Sequence, residues 1–199
     1  MKKQNTFFSG LKLFIFFTLV CGVLYTFLIT GFAELTFTQK ANANTIEVNG
    51  TKYGSVHLGQ NFEKPEHLWG RAMIQDFSTF TDKNGKPLMY ASPSNKSPVS
   101  DEYIQAVKER VSKIKAFHPE KVGVKIPAEL VTVSASGLDP HISVDAAMYQ
   151  AERIAKYNNM SIEEVKEIID SCTQNKFLGI FGEKTVNVLQ VNLKLEGIL

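Results

Sequence analysis

The sequence predicts a single N-terminal transmembrane α-helix followed by one extracytoplasmic α+β domain. The helix is indicated by 21 consecutive residues without Asp, Glu, Lys, Arg or His, from Leu13 to Ala33. The domain is indicated by a strand-turn-strand pattern that begins at Thr45 and by helix-capping patterns in the second half of the chain. We therefore divide the chain into a short cytoplasmic segment, a span, a linker and a domain, at residues 1–12, 13–33, 34–44 and 45–199.

The apolar run has the length of a membrane span. As a helix it is about 30 Å long, which matches the hydrocarbon core of a bilayer. A cleaved signal peptide is the alternative, because Lys2 and Lys3 give a basic start and Ala41-Asn42-Ala43 is typical of a cleavage site. The run exceeds the usual signal core of about 7 to 15 residues, however, so we favour a retained span. A lipoprotein anchor at Cys21 is disfavoured because bulky Val20 precedes it.

Basic residues at the two ends of the span predict its orientation. Lys2, Lys3 and Lys12 precede the span, whereas Lys40 follows it in company with Glu34. The positive-inside rule then places the N-terminus in the cytoplasm and the domain on the outer side of the membrane, as in a single-pass membrane protein. Residues 44–199 carry a net charge of −1, and they show no nucleic-acid-binding signature.

The first half of the domain is predicted to contain a hairpin, a loop and a helix. Strands are expected at Thr45–Val48 and Thr51–Tyr53, because Asn49-Gly50 between them is the favoured two-residue hairpin turn. Residues 81–100 contain three prolines and many Ser, Asn and Lys, which predicts a long exposed loop. Ser100 is expected to cap a helix with an apolar stripe formed by Ile104, Val107, Val111 and Ile114.

The second half is predicted to pass from a strand through a turn into helices. A strand is expected at Glu129–Val133, followed by a tight self-bonded turn at Ser134–His141. Ser143 is expected to cap a helix through Tyr157. Ser161 and Glu164 form a capping-box pattern, and the helix that they begin should bury Cys172. Residues 186–195 fit a strand or a helix; we favour the helix because Asn187 could cap it at Gln190.

No motif in the chain predicts catalysis, a metal site or a cofactor site. Ser136, Asp139 and His141 are the residue types of a hydrolytic triad, but six residues are too few to align them, and there is no Gly-x-Ser-x-Gly motif. The histidines at positions 57, 67, 118 and 141 lack metal-ligand spacing. Glu183 stands where a phosphate loop needs glycine before Lys184.

Several segments together resemble the C subunit of the bacterial Kdp-type potassium-transporting ATPase. They are Gly54–Phe62, Gly70-Arg71, the long stretch Pro127–Ser143, Gln150, Arg153–Lys156, Val186–Leu189 and Asn192-Leu193. The resemblance covers essentially the whole chain. It departs at Ala72-Met73, where the family has Pro-Ser, at residues 92–96, where it has Ser-Gly-Gly-Ser-Asn, and at Tyr157, where it has Arg.

The resemblance implies an accessory, non-catalytic subunit of a high-affinity ATP-driven potassium import complex. Its implied partners are a channel-like potassium-binding subunit, a P-type ATPase subunit, a small single-span subunit and membrane lipid. It also implies a catalytic chaperone that supports ATP binding by the ATPase subunit, with ATP and potassium used by the complex and no cofactor of its own. The chain itself lacks the Asp-Lys-Thr-Gly phosphorylation motif.

The predicted topology separates this domain from cytoplasmic ATP, so any effect on ATP use should pass through conformational coupling or through the span. Candidate residues for a docking surface or an internal network are Gln60, Asn61, Arg71, Ser136, Asp139, His141 and Arg153. For Asp139 we favour the internal network, because its neighbours form the turn. The alternatives are a free-standing membrane-anchored extracytoplasmic binding protein and an anchored hydrolase with a histidine beside a nucleophile.

Overall fold

The computed structural model describes residues 6–199, except for the side chains at positions 76–78 and 89. The chain divides into two compact units, Met1–Thr45 and Ile46–Leu199. The first unit is helical and the second combines helices with short antiparallel strands. The prediction of one apolar N-terminal helix followed by a mixed helix and sheet region is confirmed.

The first unit is dominated by one long helix. It runs from Thr6 to Thr36 as α1 (Thr6–Phe17), a π-helical stretch (Thr18–Tyr25) and α2 (Thr26–Thr36), and the short α3 (Thr38–Ala41) follows. Its 31 residues have a mean hydropathy of 2.4 in the most apolar window, and none of that window is buried against protein. A helix of this length with exposed Phe, Leu and Ile side chains has the properties of a membrane span.

The predicted hairpin at the start of the second unit is confirmed. Strand β1 (Thr45–Val48) pairs with β2 (Thr51–Ser55). The two residues between them, Asn49 and Gly50, have φ angles of 51° and 78°. Positive φ at both positions is the requirement of a type I′ turn, whose twist matches that of the strands.

The prediction of one long loop over residues 81–100 is wrong for its first half. Strand β3 (Ile74–Thr81) pairs antiparallel with β4 (Pro87–Ser92). Asp82 closes the intervening turn because its Oδ1 accepts hydrogen bonds from the backbone N–H groups of Asn84 and Lys86, both at 2.8 Å. Proline does not prevent this hairpin, since Pro87 begins a strand and Pro93 follows its end.

The next helix, α4 (Asp101–Phe117), confirms the predicted cap at Ser100, whose hydroxyl accepts a hydrogen bond from Tyr103 N. The strand predicted at Glu129–Val133 is wrong. Residues Ala128–Leu130 form a 3₁₀ turn after Pro127, and the Glu129 carboxylate accepts hydrogen bonds from Ser143 N at 3.1 Å. The β-branched residues Val131–Val133 follow this turn outside any named strand, so their strand propensity does not decide the local structure.

The turn at Ser134–His141 is confirmed as self-bonded. Asp139 Oδ1 accepts a hydrogen bond from His141 N at 3.0 Å, and Ser136 Oγ accepts one from Leu138 N at 3.1 Å. Gly137 has a φ of 73°, and a Cβ atom there would lie 2.5 Å from the carbonyl carbon of Ser92. The turn therefore packs directly against the end of β4.

The helix predicted from Ser143 to Tyr157 is capped as expected but interrupted. After β5 (His141–Ser143), α5 (Val144–Tyr149) and α6 (Ala151–Asn158) meet at Gln150. The Gln150 side-chain amide donates to Ala146 O at 3.1 Å, so it occupies the carbonyl that the Gln150 backbone N–H would reach in a continuous helix. That backbone N–H bonds Ala147 O instead.

The C-terminal part forms the core around a three-stranded sheet. Helix α7 (Ile162–Ser171) begins with the predicted capping box, Cys172 is buried as predicted, and β6 (Thr173–Gln174) follows. Strand β7 (Thr185–Asn187) lies between β5 and β6, antiparallel to both. The helix favoured at residues 186–195 is confirmed as α8 (Val188–Leu195), with Asn187 as its N-cap. The buried side chains at its centre include Ile142, Ile154, Val165, Ile169, Val186 and Val191.

Substitution of Gly137 by Ala should destabilise the domain more than the same substitution at Gly85. Both glycines have positive φ, but nothing lies within 4 Å of a Cβ at Gly85. We expect a loss of about 1 kcal/mol for G85A from backbone strain and about 2 kcal/mol more for G137A from the clash with β4. Urea unfolding of the detergent-solubilised chain, followed by the fluorescence of the single tryptophan, measures both. Equal losses in the two variants would contradict the packing of the turn on β4.

Candidate functional site

A buried segment without regular secondary structure organises the candidate residues. Leu68 is completely buried and Trp69 is 6% exposed, yet both lie outside any helix or strand. The Asn192 side chain pairs with both backbone groups of Leu68, at 2.7 Å to N and 3.0 Å to O. Gln150 pairs with both backbone groups of Trp69, each at 3.0 Å. The two side-chain amides thus replace the neighbouring strand that buried backbone otherwise requires.

Arg153 is a buried member of this network. It is 2% exposed, and its Nη2 donates to Gln150 Oε1 at 2.7 Å. Its Nη1 donates to Pro65 O, and its guanidinium lies 4.0 Å from the centroid of the Trp69 ring. Burial lowers the pKa of the Arg153 guanidinium to about 10, which keeps it charged at neutral pH. The structure therefore places Arg153 inside the domain, in a buried hydrogen-bond network.

His118 is held neutral by its two hydrogen-bond partners. Its Nδ1 lies 2.8 Å from Ile114 O, which can only accept, so Nδ1 carries the proton. Its Nε2 accepts a hydrogen bond from Arg153 Nε at 3.2 Å. Burial, together with the charge of Arg153, lowers the pKa of the His118 imidazole, although the bond to Ile114 opposes this shift.

Arg71, Asp139 and His141 lie close together beside the polar turn. Arg71 Nη1 is 3.8 Å from Asp139 Oδ2, and Asp139 Oδ1 is 4.0 Å from His141 Nδ1. His141 Nε2 lies 3.2 Å from Asn187 Nδ2, which is a donor, so the imidazole accepts there and directs Nδ1–H towards Asp139. Burial lowers the pKa of His141, and the charge of Asp139 opposes that shift.

Ser136 does not join this group as a nucleophile. It is exposed, and its Oγ accepts from Leu138 N and lies 3.4 Å from Ser134 Oγ. His141, in contrast, bonds Asn187. The described contacts therefore form no Ser-His-Asp relay. Among the side chains that the structure describes, no three of His, Cys, Asp or Glu form a group that could hold a metal ion.

Gln60 and Asn61 lie with Arg71 along one cleft. Gln60 Nε2 donates to Tyr53 O at 2.8 Å, and Asn61 Nδ2 donates to Glu63 Oε1 at 3.0 Å. The cleft has a volume of about 220 Å³. Its other lining residues are Phe62, Trp69, Gly70, Ala72, Met73, Arg110, Lys113, Ile114 and Leu130.

The loop between β6 and β7 exposes four large apolar side chains. Phe177, Leu178, Ile180 and Phe181, which we call the apolar tip, are each between 62% and 76% exposed. The backbones of Phe177 and Phe181 pair with each other, and Lys176 forms an ion pair with Glu183 at the base. Contiguous exposed apolar side chains of this kind are typical of interaction surfaces.

Sequence reasoning assigned no role to Gln150, Asn192, His118 or the apolar tip. Gln150 and Asn192 belong to the segments that carry the resemblance. Each is a polar residue on an otherwise buried helix face, and that pattern could have indicated a buried hydrogen-bonding role. The apolar tip could have been predicted from the sequence, where four large apolar residues surround one glycine in a segment without a helix or strand pattern.

The domain should lose stability as the pH falls below the ordinary histidine pKa of about 6.5. His118 is neutral and its pKa is lowered in the folded state, so the unfolded chain binds more protons and stability rises with pH across this window. The contribution is at most about 1.4 kcal/mol per pH unit. Urea unfolding between pH 7.5 and 5.5 measures the slope, which should be smaller in H118Q; an unchanged slope would contradict the buried neutral imidazole.

Known proteins match this chain over almost its full length. A family described as "KdpC: K+-transporting ATPase, c chain" matches residues 7–197. A protein of Clostridium botulinum (strain Eklund 17B / Type B) named "Potassium-transporting ATPase KdpC subunit" is 58% identical over 200 residues, covering 100% of both chains. Proteins of the same name are 45% identical in Listeria monocytogenes, over 92% of this chain and 90% of the relative, and 39% identical in Janthinobacterium sp., over 97% and 98%. The chain therefore belongs to the KdpC family: it is a subunit of the multi-subunit potassium-transporting ATPase, and this subunit has an accessory role in potassium import.

Proposed function

We propose that this chain assembles and stabilises a high-affinity ATP-driven potassium import complex, with its N-terminus in the cytoplasm and its domain outside the cell membrane. Family membership supports the complex, and the exposed apolar helix Thr6–Thr36 supports a membrane span. Lys2, Lys3 and Lys12, which all precede the apolar run from Leu13 to Ala33, support the orientation. The proposed partners are a channel-like potassium-binding subunit, a P-type ATPase subunit and a small single-span subunit.

The main structural support for a role in assembly is the apolar tip. Four large apolar side chains in the ten-residue loop between β6 and β7, each mostly exposed, are unfavourable on a protein that works alone in water. Burial of such side chains against a partner contributes about 1.5 to 3 kcal/mol each. We assign the tip to an apolar surface of another subunit of the complex.

The chain contributes to ATP use without catalytic residues of its own. We assign it the role of a catalytic chaperone that supports ATP binding by the P-type ATPase subunit, while the complex uses the ATP and the potassium. In the proposed orientation the domain and cytoplasmic ATP are on opposite sides of the membrane. Coupling then operates through the helix Thr6–Thr36 or through shape changes of the partner subunits, because binding at one site can shift the equilibrium at another.

A free-standing membrane-anchored extracytoplasmic binding protein is the second candidate. The cleft that contains Arg71 favours it, since a ligand site is what such a protein would need. Its volume of about 220 Å³ lies below the range of about 300 to 1,000 Å³ that is usual for small-molecule sites. The subunit proposal is better supported, because the chain belongs to the family of a potassium-transporting ATPase subunit.

Co-purification from gently solubilised membranes of potassium-starved cells tests the proposal. The wild-type chain should be recovered with the other subunits. The double variant F177S/F181S should be recovered with them at least about tenfold less well, since loss of apolar anchors typically costs 2 kcal/mol or more of binding free energy. Both side chains are exposed, so thermal unfolding of the variant should match the wild type.

V122S is the matched control, because Val122 is an 88% exposed apolar residue outside the tip. It should be recovered with the complex as well as the wild type is. Recovery of the wild-type chain as a lone monomer would reject the subunit proposal. Full assembly of F177S/F181S would reject the tip as its docking surface.

A further inference from the structure

The cleft beside Trp69 collects more positive charge than its surroundings neutralise. Arg71, Arg110 and Lys113 all line it, whereas Glu63 is the single carboxylate among the described lining residues, and Asp139 lies 3.8 Å from Arg71. Glu63 already accepts a hydrogen bond from Asn61. Three cationic groups around one small concave surface raise the local concentration of anions.

Much of the hydrogen-bonding capacity of these cations is unused. Arg71 makes two long contacts, at 3.5 Å from Nη2 to Val133 O and at 3.8 Å from Nη1 to Asp139, and its buried Nε has no partner among the described residues. Arg110 Nη1 donates to Val131 O at 3.1 Å. A guanidinium has five N–H donors, so both arginines retain donors that no described acceptor satisfies.

Lys113 completes the group from the exposed side of α4. Its ammonium lies 5.3 Å from the centroid of the Trp69 ring, and no described carboxylate lies within ion-pair distance of it. A cation held over an aromatic face keeps its remaining donors directed to solvent. Trp69, Lys113 and the two arginines all line the cleft.

We propose that this cleft binds a small oxyanion, either a carboxylate or a phosphate group. Guanidinium groups bind both through paired N–H donors, and such charge-assisted hydrogen bonds are about twice as strong as neutral ones. The volume of about 220 Å³ suits one anionic group with a short apolar stem, because Ile114, Leu130 and Met73 line the remainder. The oxyanion is either a free ion or an acidic group that another subunit presents.

A titration of the detergent-solubilised full chain tests the site. Sodium phosphate or sodium acetate is added against sodium chloride at matched ionic strength, and the fluorescence of Trp69 is recorded. We expect a saturable change with phosphate or acetate beyond that with chloride. K113Q should bind about tenfold more weakly, since it loses one charge-assisted contact.

K115Q is the matched control, because Lys115 is an exposed lysine on the same helix outside the cleft. It should bind as the wild type does. The absence of a saturable change in the wild-type chain, or an equal loss in K113Q and K115Q, would overturn the proposal. The titration uses the free chain, so its outcome does not depend on whether the assembly proposed above is correct.

The source of the oxyanion is distinguished by repeating the titration on the assembled complex. Undiminished binding there supports a free ion. Loss of binding in the complex, together with weaker co-purification of K113Q than of K115Q, supports an acidic group of another subunit. Both results confirm the cleft as an oxyanion site and differ only in what occupies it.

Discussion

The domain depends on one constraint, which is that the buried backbone of Leu68 and Trp69 must find hydrogen-bond partners without a neighbouring strand. Gln150 and Asn192 meet it from positions 81 and 124 residues away in sequence. An unpaired buried backbone group costs about 1 to 3 kcal/mol, so these two amides outweigh most single apolar contacts in the core. They also join helix α8 and the junction of α5 and α6 to the same short segment. The pairing with Gln150 and Asn192 fixes the backbone of Leu68 and Trp69. It therefore also positions the Trp69 side chain in the cleft and the nearby Arg71.

The elements that sequence reasoning predicted correctly are those specified by adjacent residues. The Asn49-Gly50 turn, the caps at Ser100, Ser143, Ser161 and Asn187, and the self-bonded turn before His141 each need only a few neighbouring side chains. The errors arise where distant contacts decide. Glu129 leaves its predicted strand to bind Ser143, and Gln150 divides a predicted helix because its amide is engaged by Trp69 and Ala146. The contacts with Ser143 and Trp69 have no signature in the local sequence.

The candidate residues lie in two different places in the structure, which the sequence did not predict. Arg71, Asp139 and His141 converge near the turn, whereas Arg153 is buried against Trp69 and His118. Arg110 and Lys113 also line the cleft, although the sequence of their helix predicted only a buried apolar stripe. Tertiary structure decides which residues lie opposite a polar side chain, so the sequence could not predict their place in the cleft. The polar turn that collects Ser, Asp and His acts as a structural joint between β4 and β5, held by internal hydrogen bonds and by bonds to Gly59 and Asn187.

The function proposed for this chain depends most directly on which side of the membrane the domain occupies. An external domain excludes direct contact with cytoplasmic ATP and leaves assembly and conformational coupling as its routes of action. Protease added to intact protoplasts, with the chain followed by an antibody against its C-terminus, measures this position. We predict that protease digests residues 45–199 from outside, while a cytoplasmic marker protein remains intact. Protection of the domain until the membrane is opened would place it in the cytoplasm and contradict the proposed topology.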